Sequence, residues 1–140
     1  MTSAPTISVE TTIAAPLARV WSAYTTPEDI VAWNAASEDW HTTRAVVDLR
    51  DGGAFLSRME AKDGSMGFDF AGTYSKIIPQ QRIDYAFGDR TAQVTFDQRP
   101  EGVKVHVAFV AEQSNPIEMQ RGGWQAILDN FKRYVEAKSS

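Results

Sequence analysis

The sequence predicts an α+β domain in which one curved antiparallel sheet of six to seven strands wraps a long C-terminal helix. Two observations carry this. From about Asn115 to Ala137, the residues Ile117, Trp124, Ile127, Leu128, Phe131 and Val135 share one face at roughly 100° per residue. Between Arg44 and Ala111 the chain instead reads almost wholly as strands, in short runs separated by turn signals, and such a succession of strands forms a single antiparallel layer.

Each element has its own signal. Ile7, Val9, Thr11 and Ile13 alternate with Ser8, Glu10 and Thr12, the pattern of a half-buried first strand. Pro16 opens a helix in which Leu17, Val20, Trp21 and Tyr24 recur at helical spacing. Thr26-Pro27-Glu28-Asp29 restarts the chain into a second short helix carrying Ile30, Val31 and Trp33. Asn34 to His41 is aperiodic and reads as a loop. Arg44 to Leu49 runs into Asp51-Gly52-Gly53, and Ala54 to Ala61 into Asp63-Gly64, both hairpin signals. Strands then follow at about Met66 to Ile78, Arg82 to Phe87, Thr91 to Gln98 and Val103 to Ala111, ending at Pro79, Gly88-Asp89 and Pro100-Glu101-Gly102.

The final helix is marked at its start by Asn115 as cap, Pro116 at the first helical position and Glu118 where a capping box places a carboxylate. Inside it stand Gly122 and Gly123, each costing about 1 kcal/mol relative to alanine. Their cost suggests that something fits close to the N-terminal half. By helical angle Gly122 faces solvent, whereas a side chain at Gly123 is expected to press on the sheet or on the mouth of a pocket.

With 140 residues and 43% hydrophobic content, the chain forms one domain over 1–140, with its core at about 7–137. A net charge of -4 and a pI near 5.1 argue against nucleic acid, since no basic cluster exists to neutralise phosphates. The absence of cysteine removes disulfides, thiolate nucleophiles and thiolate metal sites. No apolar leader and no run of 18 apolar residues are present. Membrane insertion is therefore not expected, and the default location is the cytoplasm.

Candidate chemistry is sparse. Phe55, Met59, Phe68, Phe70, Tyr85, Phe87, Phe96, Phe109 and Trp124 fall on inward positions. Aromatics there serve a core, or line the hollow that a curved sheet facing one helix tends to leave. Gln120 shares the face of Trp124 and Ile117; it is either a margin amide or a polar group that orients a ligand. His106 alternates onto the wet face with Lys104. His41, beside Trp40, could reach a pocket mouth as a general base, but spacing fixes no carboxylate partner for it. Asp69, between Phe68 and Phe70, faces outward. No ligand set for a metal occurs, and Gly52-Gly53 is not a phosphate loop because no helix follows it. Neither metal nor cofactor is expected.

The order of elements, with Ala15-Pro16, Val20-Trp21, Thr26-Pro27-Glu28 and Trp33, resembles the helix-grip superfamily of lipid-transfer-type domains (START-like, SRPBCC). Asp48-Leu49-Arg50-Asp51-Gly52-Gly53, Gly72-Thr73-Tyr74, Ile77-Ile78-Pro79 and Gly123-Trp124 with Leu128 resemble one branch, the small bacterial homologues of the activator of the heat-shock chaperone ATPase. The match spans about Ile7 to Ala137. Many members carry a paired Trp-Trp and a Gly-Pro where this chain has Trp33-Asn34-Ala35-Ala36, so the mouth loop, with Trp33 and Trp40, is individual. The resemblance implies a deep apolar cavity between helix and sheet, lined also by Leu128, but not a reaction. Binding of a small apolar molecule, a lipid or aromatic compound, is the leading expectation. A non-metal cyclase, aromatase or hydrolase using cavity polar groups is the second, and a co-chaperone-like interaction module the third. The eukaryotic namesake has a further N-terminal domain for which these residues leave no room, so a chaperone partner is not carried over; a homodimer stays open.

Overall fold

The computed structural model describes residues 4–139. Along the chain lie β1 (Thr6–Ile13), α1 (Leu17–Thr25), α2 (Pro27–Trp33), β2 (Trp40–Val47), β3 (Ala54–Ala61), β4 (Gly67–Ile78), β5 (Arg82–Phe87), β6 (Arg90–Arg99), β7 (Gly102–Val110) and α3 (Ile117–Ser139). All seven strands form one antiparallel sheet in the order β1-β7-β6-β5-β4-β3-β2. It curls around α3 as the sequence predicts.

Two irregularities bend the sheet: the register shifts between Thr42 and Arg44 in β2 and between Tyr74 and Lys76 in β4. An extra residue in one strand of an antiparallel pair kinks it and raises its twist. Gly72 permits a close approach between strands. A Cβ there would stand 2.0 Å from the Ala86 carbonyl oxygen and 2.8 Å from the Phe55 ring, so the ring of the opposite residue lies directly over the glycine.

The bulge in β2 also explains a difference from expectation. Trp40 and His41 are the first residues of β2, paired with Ala61 and Glu60, not part of a loop. Thr42 pins this start: its hydroxyl lies 2.7 Å from the Asn34 carbonyl oxygen and 3.0 Å from Met59 Sδ. The bulge that follows breaks the two-residue period, and with it the pattern that marks a strand.

Phe131 and Val135 are fully buried and Leu128 nearly so. The Phe131 ring meets Trp33 at 4.8 Å and Tyr24 at 5.2 Å, so the two short helices clamp the C-terminal half of α3. Trp33 is held in turn by its indole N–H, which donates to the Ala23 carbonyl at 2.9 Å.

Lys132 and Glu136, at the margin of the apolar face of α3, tie the helix to the sheet edge. Lys132 Nζ donates to the Thr12 carbonyl at 2.5 Å, and the Ala14 N–H donates to Glu136 at 2.9 Å. Gln125 donates to the Glu10 carbonyl at 3.1 Å. An edge strand presents unpaired backbone groups, and this polar margin of α3 meets the Glu10 and Thr12 carbonyls of β1 and the N–H of Ala14 just beyond it.

The start of α3 also differs from expectation. The Asn115 amide donates to Glu112 and the Glu118 carboxylate pairs with Arg121, so neither builds a capping box. The glycine pair needs a larger correction. A Cβ at either Gly122 or Gly123 meets nothing within 4 Å. The close approach expected at Gly123 is absent; the neighbouring Trp124 makes the contact with the sheet, lying flat on Phe109 with ring centroids 3.9 Å apart. No contact explains either glycine.

Two stability outcomes follow. Gly122→Ala and Gly123→Ala should each raise the unfolding free energy measured in urea melts by about 0.5–1 kcal/mol, through helix propensity and a less disordered unfolded chain. Phe131→Ala, which empties the site of a fully buried ring, should cost about 3–5 kcal/mol in the same melts.

Candidate ligand cavity

Beneath the N-terminal half of α3 the sheet and helix part to leave a cavity of about 370 Å³. Phe55, Ser57 and Met59 of β3, Phe68, Phe70 and Tyr74 of β4, and Ile83 and Tyr85 of β5 form its floor, with Val107 of β7. Trp124, Ile127 and Leu128 of α3 roof it. Tyr24, Ile30, Trp33 and Asn34 close the side next to the short helices, and Arg90 and Glu112 also border it. Alternation along β3, β4 and β5 sends every second side chain inward, and curvature turns those positions into one concave wall.

Of the residues singled out from the sequence, Trp33, Phe55, Met59, Phe68, Phe70, Tyr85, Trp124 and Leu128 border this space. Phe68 stands at the rim, 51% exposed. The others lie elsewhere. Trp40 packs against Phe68 at 5.9 Å outside the lining. Phe87 supports the wall from behind, 5.3 Å from Phe70 and 6.0 Å from Trp124. Phe96 is covered by Trp21 and Tyr24 of α1, and Phe109 lies under Trp124. Alternation places all three on the inner face, but other side chains cover them.

Gln120 is neither a solvent-facing amide nor a cavity group. It is buried, accepts from the Glu112 N–H at 2.8 Å, and donates to the Asn115 carbonyl at 2.8 Å and the Glu112 carbonyl at 3.1 Å. One amide thereby fixes the turn between β7 and α3. His41 pairs across the ladder with Glu60 rather than bordering the cavity, and Asp69 is exposed and paired with Arg58 at 3.3 Å.

Sequence reasoning passed over Tyr24, Tyr74, Arg90 and Glu112, along with Ile30, Asn34, Ser57, Ile83, Val107 and Ile127 as lining residues. Tyr74 was within reach, since it continues the alternation of Phe68 and Phe70. Tyr24 reads as helix core by its spacing, and it is core as well as lining. Arg90 and Glu112 carry no periodic signal, since Arg90 opens β6 and Glu112 lies in the connection between β7 and α3.

The polar lining of the cavity consists of Asn34, Ser57, Arg90 and Glu112 with the phenols of Tyr24, Tyr74 and Tyr85. Burial raises Tyr24 and Tyr85 well above the ordinary tyrosine range. Tyr74 is pushed up to about 12, first by burial and then by the Asp48 charge. All three are neutral at physiological pH. Arg90 donates to the Val110 carbonyl at 3.2 Å, lies 4.6 Å over the Phe87 ring and stands 3.9 Å from Glu112. Among the described residues, no three histidine or carboxylate side chains stand together as a metal site.

A strongly curled antiparallel sheet, one long helix along its concave face and a hollow between them define a helix-grip domain. The chain belongs to the Activator of Hsp90 ATPase homolog 1-like protein family, whose pattern it matches over residues 14–136. It is similar to the solved AHSA1-like protein from Aeromonas hydrophila, with 47% identity, a TM-score of 0.91, and 96% of this chain and 94% of that one covered. A Cytophaga hutchinsonii structure shares 41% identity at a TM-score of 0.81, covering 94% of this chain and 92% of that one. A Chromobacterium violaceum protein, CV1439, shares 26% identity at a TM-score of 0.84, covering 94% and 98%. No curated protein matches the chain.

The buried phenols set an alkaline limit. The folded chain holds the Tyr74 proton more tightly than the unfolded chain does, so the contribution is intact below about pH 10 and is lost as pH rises towards about 12. Tyr74→Phe should flatten that decline in urea melts run across the same window, with little change at neutral pH.

Proposed function

We propose that this domain binds a small, largely apolar molecule, a lipid or an aromatic compound, between α3 and the sheet. One observation carries the reading: a cavity of about 370 Å³ lies between α3 and the sheet, beside a core in which Phe131, Val135 and Val94 are fully buried. Protein interiors rarely keep voids much larger than a water molecule, and ligand sites begin near this size. A ligand burying about eight carbons would gain roughly 6 kcal/mol before the cost of association. The superfamily commonly binds hydrophobic ligands, which supports the assignment.

The cavity chemistry favours binding over catalysis. Its phenols are held protonated and so donate hydrogen bonds without serving as bases near neutrality. An interaction module would gather apolar side chains on one outer patch. Here the exposed large ones, Val31, Val46, Met66, Phe68 and Met119, are spread over α2, β2, the β3–β4 turn, β4 and α3. No helix among the described residues is long and apolar enough to cross a membrane, and a cytoplasmic location goes with this reading.

Two measurements test it. Native mass spectrometry of freshly purified protein should reveal a co-purified small molecule. The uncharged dye N-phenylnaphthylamine should bind and brighten, and Ile127→Trp, which fills the roof, should weaken it about tenfold at an unchanged urea midpoint. Equal dye binding by the two proteins would overturn the assignment.

A further inference from the structure

Three of the four tyrosines border the cavity, although phenylalanine would pack there at lower desolvation cost. They come from three elements: Tyr24 from α1, Tyr74 from β4 and Tyr85 from β5. Tyr74 and Tyr85 are direct cross-strand partners, and Phe55 lies 5.2 Å from both rings. Tyr24 is wedged among Phe96, Trp33 and Phe131 at 5.2–5.5 Å. Their ring positions are set by packing before any ligand arrives.

Their hydroxyls are not spent on the fold. None of the three donates to or accepts from a described residue, although Tyr74 and Tyr85 are each only 8% exposed. Tyr74 and Tyr85 stand opposite each other on neighbouring strands, and Tyr24 lines the same cavity from α1. Among the described residues no sealed side-chain oxygen or nitrogen lacks a partner, so these unpartnered hydroxyls keep accessible surface on residues that line the cavity, where an occupant can meet them.

We infer that Tyr24, Tyr74 and Tyr85 form a hydrogen-bond-donating anchor for an uncharged acceptor oxygen, so that the molecule bound is a ring or chain compound bearing a carbonyl group. This deepens the cavity assignment and rests on it. An anionic head fits less well, because the burial that keeps these phenols neutral equally disfavours a carboxylate beside them. The one cation on the cavity border, Arg90, already serves the Val110 carbonyl and the Phe87 face. Glu112 beside it would repel an anion. A pure hydrocarbon would leave all three donors unmet.

Calorimetric titration with three matched probes tests the anchor: methyl naphthyl ketone, ethylnaphthalene and naphthoate. The ketone should bind at least about fivefold more tightly than ethylnaphthalene, as one or two added hydrogen bonds allow, and naphthoate should bind most weakly. Tyr74→Phe and Tyr85→Phe should each weaken the ketone by about three- to tenfold and leave ethylnaphthalene unchanged. In the unsubstituted protein, the infrared carbonyl stretch of bound ketone should move to lower frequency than in hexane, a readout that needs no variant. Equal affinity for ketone and ethylnaphthalene, or a carbonyl stretch as in hexane, overturns the anchor while leaving the cavity assignment standing. Tightest binding by naphthoate replaces it with an anion site at Arg90. If neither N-phenylnaphthylamine nor any of the three binds, the cavity assignment falls with it.

Discussion

A single helix has to cover the concave face of a seven-stranded sheet, and most of this structure follows from how it does so. The C-terminal half of α3 succeeds: Phe131 and Val135 are fully buried, because α1 and α2 bring Tyr24 and Trp33 against the same seam. The N-terminal half has no such help. Trp124 and Ile127 reach only part of the way across the curve, and the space they leave is the cavity. A width mismatch between one helix and a strongly bent sheet thus produces both the best-packed region and the hollow beside it.

The aromatic side chains show how finely that boundary is drawn. Trp124 lies flat on Phe109 and meets Phe87 and Phe70 at its edges, so one residue seals the core on one side and walls the hollow on the other. Tyr24 does the same from α1, packed on Phe96 and Phe131 while bordering the cavity. Stacked and edge-on ring pairs add roughly 0.5–1.5 kcal/mol each beyond burial. That coupling gives the walls a definite shape instead of letting them collapse inward.

Alternation and helical period carried the architecture. β3 and β5 have the expected ends, and Leu128, Phe131 and Val135 take the inner face of α3. What they could not carry is depth. Phe87, Phe96 and Phe109 point inward like Phe55 and Phe70, yet other side chains cover them, which depends on contacts across the fold and not on period. Local breaks hid further detail: the bulge after Thr42 concealed the first residues of β2. Gln120 sat at a plausible angle for a ligand contact, but its amide was claimed by backbone groups of the turn before it. The glycine pair was the least reliable guide, since a costly residue need not mark a tight contact. The cavity does lie under that half of the helix, placed there by Trp124.

The seam between β1 and α3 has a kinetic side. Gln125, Lys132 and Glu136 meet Glu10, Thr12 and Ala14 across separations of 115, 120 and 122 residues, and β1 pairs only with β7. β1 therefore stays unpaired until β7 is in place, and its outer edge stays uncovered until α3 arrives. Loop closure over such distances comes before the contacts that reward it. Folding accordingly belongs with the slow, non-locally paired proteins, on the order of milliseconds to seconds. During that interval the alternating apolar residues of β1 are open to pairing with another chain.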